Sequence, residues 1–248
     1  MSVYAQHGYA VRFDWGLRGA EECAPGSSVV AVVDVLSFTT ATTVAVEHGI
    51  DVLPYRWRDE SAIAYAVENQ AELAVGRSQA GPGQISLSPV TLQAAQGIRR
   101  VVLPSPNGST ISQYVAGLGS VVVAVSLRNA SAAARWVRAQ EGVVTVIAGG
   151  EKWPGGELRP AVEDLWGAGA FLAALEADGL SPEASAAVGA FEAVDDVREA
   201  LLGSASGREL VALGYQQDVE LAAGYDATQV VPVLRDGRFT DMAKALPE

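Results

Sequence analysis

The sequence predicts an α/β fold with a mainly parallel sheet, and three observations predict it. Apolar runs are too continuous for strands with one wet face, a helix-patterned segment follows each run, and polar turns mark the junctions. The first unit is Ser28-Val-Val-Ala-Val-Val-Asp-Val-Leu36, rich in valine and charged only at Asp34. Ser37 to Gly49 then carries apolar positions at helical spacing, hydroxyl residues suited to capping, and Gly49 as a stop.

The same grammar returns at Arg99 to Pro104, the turn Ser105-Pro-Asn-Gly-Ser-Thr110 and a short amphipathic helix toward Gly117. It returns at Ser120 to Val125, Ser126-Leu-Arg-Asn-Ala130 and an Ala-rich helix from Ser131 to Arg138. Gly142 to Ala148 supplies another strand, and Glu163 to Glu176 another helix. Ligands in such sheets bind at the carboxyl ends of strands, where these four polar tips are expected to converge.

Elsewhere the chain is less regular. Gly76 to Pro89 is a loop long enough to be functional, and Lys152 to Pro160, with two prolines and two glycines, reads as a flexible cover. After Gly179 the pattern becomes helical, over Pro182 to Phe191, Val194 to Leu202, Arg208 to Leu213 and Gln216 to Ala223. Val230 to Leu234 reads as a closing edge strand, where Pro232 is tolerated. The 248 residues suit a single domain, or two intimate lobes with a helical C-terminal part.

Composition excludes several function classes. The chain is 49% hydrophobic and 19% charged, which fits a globular core. No apolar run reaches the ~20 residues that cross a bilayer, and Met1 to His7 lacks the basic start and apolar stretch of a signal peptide, so a cytoplasmic protein is expected. A net charge of -12, with no basic stripe among 17 Lys and Arg, argues against nucleic acid. One cysteine, Cys23, in a segment read as a loop, and two histidines are too few for a soft zinc site, so any metal should be held by oxygen. An anionic substrate must meet a local reversal of sign, from arginines, helix N-termini or a bound cation. An apolar, Ala-rich helical surface is compatible with a homodimer.

Candidate chemistry sits at the strand tips. Asp34 ends a buried strand, so it must face a cation, an arginine or the N–H groups of the next helix, and capping and metal binding need not exclude each other. Glu163 and Asp164 open a helix, where they either complement its dipole or hold a hard cation. Asn107, Gly108 and Ser109 lie in a turn that also places free N–H groups and hydroxyls for a phosphate, although no P-loop lysine follows. Ser126, Arg128 and Asn129 repeat that geometry with a guanidinium suited to bidentate anion recognition; Arg77, Arg159 and Arg208 are lesser cases. Tyr215 and Asp218 follow Gly214 in a segment able to close over a pocket. A Ser-His-Asp set is unsupported, since His48 lies late in the first helix, His7 lies in a terminal segment, and the sequence has no Gly-x-Ser-x-Gly elbow.

Taken in order, Val33-Asp-Val-Leu, Leu87-Ser-Pro, Pro106-Asn-Gly-Ser-Thr, Ser126-Leu-Arg-Asn-Ala, Ala148-Gly-Gly, Glu163-Asp-Leu with Gly167-Ala-Gly, and Gly207-Arg-Glu-Leu with Gly214-Tyr-Gln-Gln-Asp resemble the 2-phosphosulfolactate phosphatase (ComB-like) family. The resemblance runs from Ser28 to Pro232 and implies a three-layer α/β/α fold and a magnesium-dependent phosphatase that converts 2-phosphosulfolactate to sulfolactate, a step toward coenzyme M. It implies Asp34, Asn107, Gly108, Ser126, Asn129, Glu163 and Asp164 as site residues, with Asp218 beside them. Where the family commonly has Arg-Ala-Thr after Asp-Val-Leu, this chain has Ser37-Phe38-Thr39, and Arg128 is expected to restore the missing charge.

The expectation is therefore a Mg²⁺-dependent phosphomonoesterase. Asp34, Glu163 and Asp164 are its catalytic and metal-anchoring acids, and Asn107, Gly108, Ser109, Ser126, Arg128 and Asn129 hold the anion. Asp34 as nucleophile and Asp34 beside an activated water need similar residues and stay open. The rivals are a non-catalytic protein that binds a sulfonate or phosphate metabolite, and a phosphatase for another 2-phospho acid.

Overall fold

The long valine-rich runs become strands covered on both faces in the computed structural model, which describes residues 2–56 and 59–243. In chain order, β1 (Val11–Trp15) and α1 (Gly16–Cys23) precede β2 (Val29–Val33) and α2 (Phe38–Glu47). Next come β3 (Asp51–Tyr55), α3 (Glu60–Glu68), β4 (Glu72–Leu73), α4 (Pro89–Gln93), β5 (Arg100–Pro104) and α5 (Gly108–Gly117). They are followed by β6 (Val121–Val125), α6 (Ala130–Arg138), β7 (Val144–Ala148), a small hairpin β8 (Glu151–Lys152) and β9 (Leu158–Arg159), and α7 (Val162–Leu175). The chain continues through α8 (Pro182–Glu192), α9 (Val197–Gly203), α10 (Ala205–Ala212) and α11 (Gln216–Ala222) to the hairpin β10 (Pro232–Arg235) and β11 (Arg238–Asp241).

Among the described residues the main sheet has nine strands in the order β1-β7-β2-β6-β10-β11-β3-β5-β4. Two parallel blocks, β1-β7-β2-β6 and β3-β5-β4, are joined by the antiparallel β10–β11 hairpin. The expected edge strand at Val230 to Leu234 is therefore an interior one. Its partner β11 carries a charge at each end, and Pro232 is tolerated as the first residue of the strand, opposite Asp241.

Alternation along β2 shows why there are three layers. Val29, Ala31 and Val33 join a core with Trp136, Phe171 and Leu172 from α6 and α7. Val30 and Val32 join another with Phe38 and Val44 of α2 and Ile111 of α5. Each fully buried valine contributes roughly 1.5–3 kcal/mol of gross transfer free energy, which fixes both register and facing. The α/β/α arrangement is thus a direct consequence of strands apolar on both sides. Helices α7 and α8 approach so closely that a Cβ on Gly169 would lie 2.1 Å from the carbonyl oxygen of Ala187.

The cover over Lys152 to Pro160 is a β-hairpin rather than an unstructured loop, and Cys23 closes helix α1 instead of lying in a loop. The Cys23 thiol is buried, and burial with the nearby Asp14 pushes it up to about 12, so it is an inert core group. No described helix is long and apolar enough to cross a membrane.

Candidate active site

The parallel arrangement brings the C-terminal ends of β2 and β7 side by side, since Val33 is in register with Ala148. Asp34 leaves β2 at that point. Its Oδ1 accepts from the Phe38 N–H (3.2 Å) in the first turn of α2, and its Oδ2 accepts from the Gly108 N–H (2.9 Å) at the start of α5. The hydrogen bond expected of a helix-capping acid is therefore present. Only glycine permits the α5 contact, because a Cβ at Gly108 would lie 2.2 Å from the Phe38 ring and 2.8 Å from Asp34 Oδ2.

Asp164 and Glu163 arrive from the first turn of α7. Asp164 Oδ1 accepts from Val35 N–H (2.7 Å) and Oδ2 from Gly150 N–H (2.8 Å), so this carboxylate ties the ends of β2 and β7 to α7. Glu163 is 2% exposed, and its Oε2 has no hydrogen-bond partner among the described residues. A buried, unpartnered carboxylate oxygen is costly; the other buried side-chain atoms left without a partner among the described residues are Thr42 Oγ1 and Arg128 Nε.

The electrostatics agree with that geometry. Burial pushes Asp34 up to about 6 against the opposing pull of the Phe38 and Gly108 N–H groups and of Arg77, while Glu163 adds to the rise. Burial, then Asp34 and Glu163, push Glu151 to about 7. Burial and the same two acids hold Asp164 well above the ordinary carboxylate range. Four acids, Asp34 from the β2–α2 junction and Glu151, Glu163 and Asp164 from the connection between β7 and α7, thus form a charge-repelling cluster. Among the described residues no three acids, histidines or cysteines form a ready-made metal cage. The donor set is nonetheless hard oxygen throughout, with an orphaned Glu163 Oε2 and mutual repulsion that a divalent cation would relieve, and in that sense it fits Mg²⁺.

Cavities flank the cluster. One of about 540 Å³ is lined by Leu36, Arg77, Glu151, Ser206, Glu209 and Tyr215. Another of about 420 Å³ lies beside Asn107, Thr110, Gly149 and Lys152. Asn107 faces that second space, with its Nδ2 donating to the Gly150 carbonyl (2.7 Å). Ser109 turns inward, its hydroxyl donating to the Leu103 carbonyl (2.8 Å), and the Gly108 N–H is taken by Asp34.

The β6 tip is placed differently from its sequence twin at β2. Asn129 Oδ1 accepts from the Ser126 N–H (2.9 Å), and its Nδ2 donates to the carbonyls of Ala124 (3.2 Å) and Val230 (3.3 Å). Ser126 Oγ lies 3.2 Å from Thr43 Oγ1. Arg128 donates to Glu47 Oε2 (3.0 Å) and to the Leu221 carbonyl (3.1 Å), so its guanidinium is not beside Asp34. The charge expected from Arg128 comes instead from Arg77, whose Nη2 donates to Ser37 Oγ and whose Nε donates to Asp218 Oδ2 (3.1 Å). The structure thus gathers Asp34, Glu163, Asp164, Gly108 and Asn107, and turns Ser126, Arg128 and Asn129 toward partners of their own, with Arg128 Nε left without one among the described residues.

Glu151 was the group that pattern reading passed over. Its signal was its place directly after the Gly149-Gly150 turn that follows β7. Arg77 carried a weaker one, as the cation after Gly76 in a long loop.

A family model described as 2-phosphosulpholactate phosphatase matches residues 19–237. The chain is 29% identical over 223 residues to the 2-phosphosulfolactate phosphatase of Methanothermobacter thermautotrophicus, covering 90% of this chain and 94% of that protein. It is 35% identical over 215 residues to a probable 2-phosphosulfolactate phosphatase of Thermus thermophilus, covering 84% and 88%. A probable 2-phosphosulfolactate phosphatase of Thermotoga maritima is 28% identical over 224 residues, covering 88% and 94%.

Proposed function

The chain belongs to the 2-phosphosulpholactate phosphatase family and is a phosphoric monoester hydrolase, and from that premise we propose that it removes phosphate from 2-phosphosulfolactate with the help of Mg²⁺. The observation that carries the metal is the orphaned Oε2 of buried Glu163 beside Asp34, Glu151 and Asp164, whose carboxyls are pushed up by burial and by the neighbouring Glu163 charge. Glu163 and Asp34 would hold the cation, directly or through water. Bound there, the ion would polarise a phosphoryl oxygen and offset the repulsion between an anionic ester and a protein of charge -12.

The chain's own groups divide the remaining work. Asp164, with both oxygens on backbone N–H groups, keeps the ends of β2 and β7 at a fixed spacing from α7. Asp34 is held by the first turns of two helices, which favours its charged form and fixes its orientation for attack or for cation binding. Glu151 lines the 540 Å³ cavity and titrates at about 7, which suits it to exchange a proton with water or the leaving oxygen. Asn107 at the neighbouring cavity is available to the phosphoryl oxygens.

The test is phosphate release from 2-phosphosulfolactate by the purified protein, with Mg²⁺ or with EDTA. Release that depends on Mg²⁺ is expected. No release under either condition sinks the substrate, and equal release in EDTA sinks the metal.

A further inference from the structure

We propose that Arg77, held in place by Asp218, is the specificity-determining residue that binds the second acidic group of the substrate. The proposal rests on the phosphatase reading and deepens it. Arg77 comes from the long loop between β4 and α4, outside every strand-to-helix junction that supplies the acid cluster.

Three contacts immobilise its guanidinium. Nε donates to Asp218 Oδ2 (3.1 Å), Nη2 donates to Ser37 Oγ, and Cζ lies 5.8 Å from the centroid of the Tyr215 ring. Asp218 is 2% exposed and is itself anchored by Ser88 Oγ on its other oxygen. A guanidinium has five N–H donors, so the remaining ones on Nη1 and Nη2 have no partner among the described residues. The side chain is 19% exposed, neither solvated like a surface arginine nor sealed like Arg128. A planar fork pre-organised in this way, with one edge open, is the arrangement that takes a carboxylate or sulfonate bidentately at little entropic cost.

Position supplies the second part of the argument. Arg77 lines both the 540 Å³ cavity that contains Glu151 and an 850 Å³ cavity bounded by Ser88, Tyr215 and Asp218. It is also near enough to the cluster to act on the Asp34 carboxyl. A small ester whose phosphate sits at the acids therefore extends its other end toward Arg77. Arg159 also acts on the Glu151 carboxyl, but its guanidinium is drawn toward Ser206 Oγ (3.0 Å) and the Trp153 ring, and Lys152 lines the cavity on the Asn107 side instead.

The experiment compares wild type, Arg77→Ala, Arg77→Lys and Arg159→Ala. It measures KM and kcat on 2-phosphosulfolactate, and calorimetric affinity for sulfolactate and for inorganic phosphate in the presence of Mg²⁺. Arg77→Ala should raise KM and weaken sulfolactate binding by about 10–100-fold, the loss expected for a charge-assisted pair, with inorganic phosphate changed by less than about threefold. Arg77→Lys should recover part of the loss, and its folding is secure because the charge opposite Asp218 remains. Equal losses for sulfolactate and phosphate in Arg77→Ala overturn the proposal, as does a sulfolactate loss confined to Arg159→Ala. If wild type hydrolyses nothing, the phosphatase reading falls, while the binding measurements still decide the role of Arg77.

Discussion

The tips of β2 and β6 look like twins in sequence and behave as opposites in the structure. Both end a valine-rich strand, both turn through polar residues into a helix, and the strands are neighbours in register from Val29 opposite Val121 to Val33 opposite Val125. At β6, Asn129 closes the turn onto Ser126, Ala124 and Val230, and Arg128 is spent on Glu47 and Leu221. At β2, Asp34 meets Glu163, whose buried Oε2 is left without a partner. The lesson is that polarity at a strand end does not distinguish a site from a lock. What distinguishes them is charge: the orphan at β2 is a carboxylate oxygen among other acids, whereas the orphan at β6, Arg128 Nε, belongs to a guanidinium already paired with Glu47.

The largest effect that tests this contrast is on catalysis. Asp34→Asn and Glu163→Gln should each lower kcat/KM by on the order of 10²-fold or more, since each removes a charge assigned to the cation. Circular dichroism should show both variants folded. Full activity in either removes that residue from the mechanism and erases the difference between the two tips.

The opposite expectation holds at β6. Asn129→Ala strands the Ser126 N–H and two carbonyls in a buried turn, so it should cost about 2–3 kcal/mol of stability, read by urea denaturation. Its activity per folded molecule should match wild type. A normal denaturation midpoint with lost activity would make β6 the site and the β2 network the lock.

How much was legible follows from the same physics. The units from Ser28 to Gly49, Arg99 to Gly117, Ser120 to Arg138 and Gly142 to Glu176 could be read because strands buried on both faces must be apolar without a break. β1, with Arg12 and Asp14, and β3, with Pro54, carry no such signature and are strands because β7 and β5 pair with them. β11 is four residues with a charge at each end, fixed by β10 and β3. In the site, Asp34 and Glu163-Asp164 were visible as acids in places where acids are costly. Arg77 was not, since its role depends on Asp218, distant in sequence, and Arg128 looked equally suitable until Glu47 was seen to hold it.

The smallest effect is the dependence of stability on pH without a divalent cation. Asp34 at about 6 and Glu151 at about 7 lie above the ordinary carboxylate range near 4, so the folded state holds more protons than the unfolded chain in that window. Raising the pH from about 4 to about 7 therefore removes stability through these groups, and above that range they add no further change. Glu163 raises both, so Glu163→Gln should be more stable than wild type in EDTA, by an amount that grows across the window to about 2–5 °C in Tm. Mg²⁺ should narrow that gap by stabilising wild type more than the variant. Asn129→Ala, whose lost hydrogen bonds to Ser126, Ala124 and Val230 involve no carboxylate, should instead lower Tm by nearly the same amount at each pH. A gap between Glu163→Gln and wild type that stays flat from pH 4 to 7 would mean that Glu163 does not share its charge with Asp34 and Glu151, and the charge contrast between the β2 tip and its neighbour would be lost.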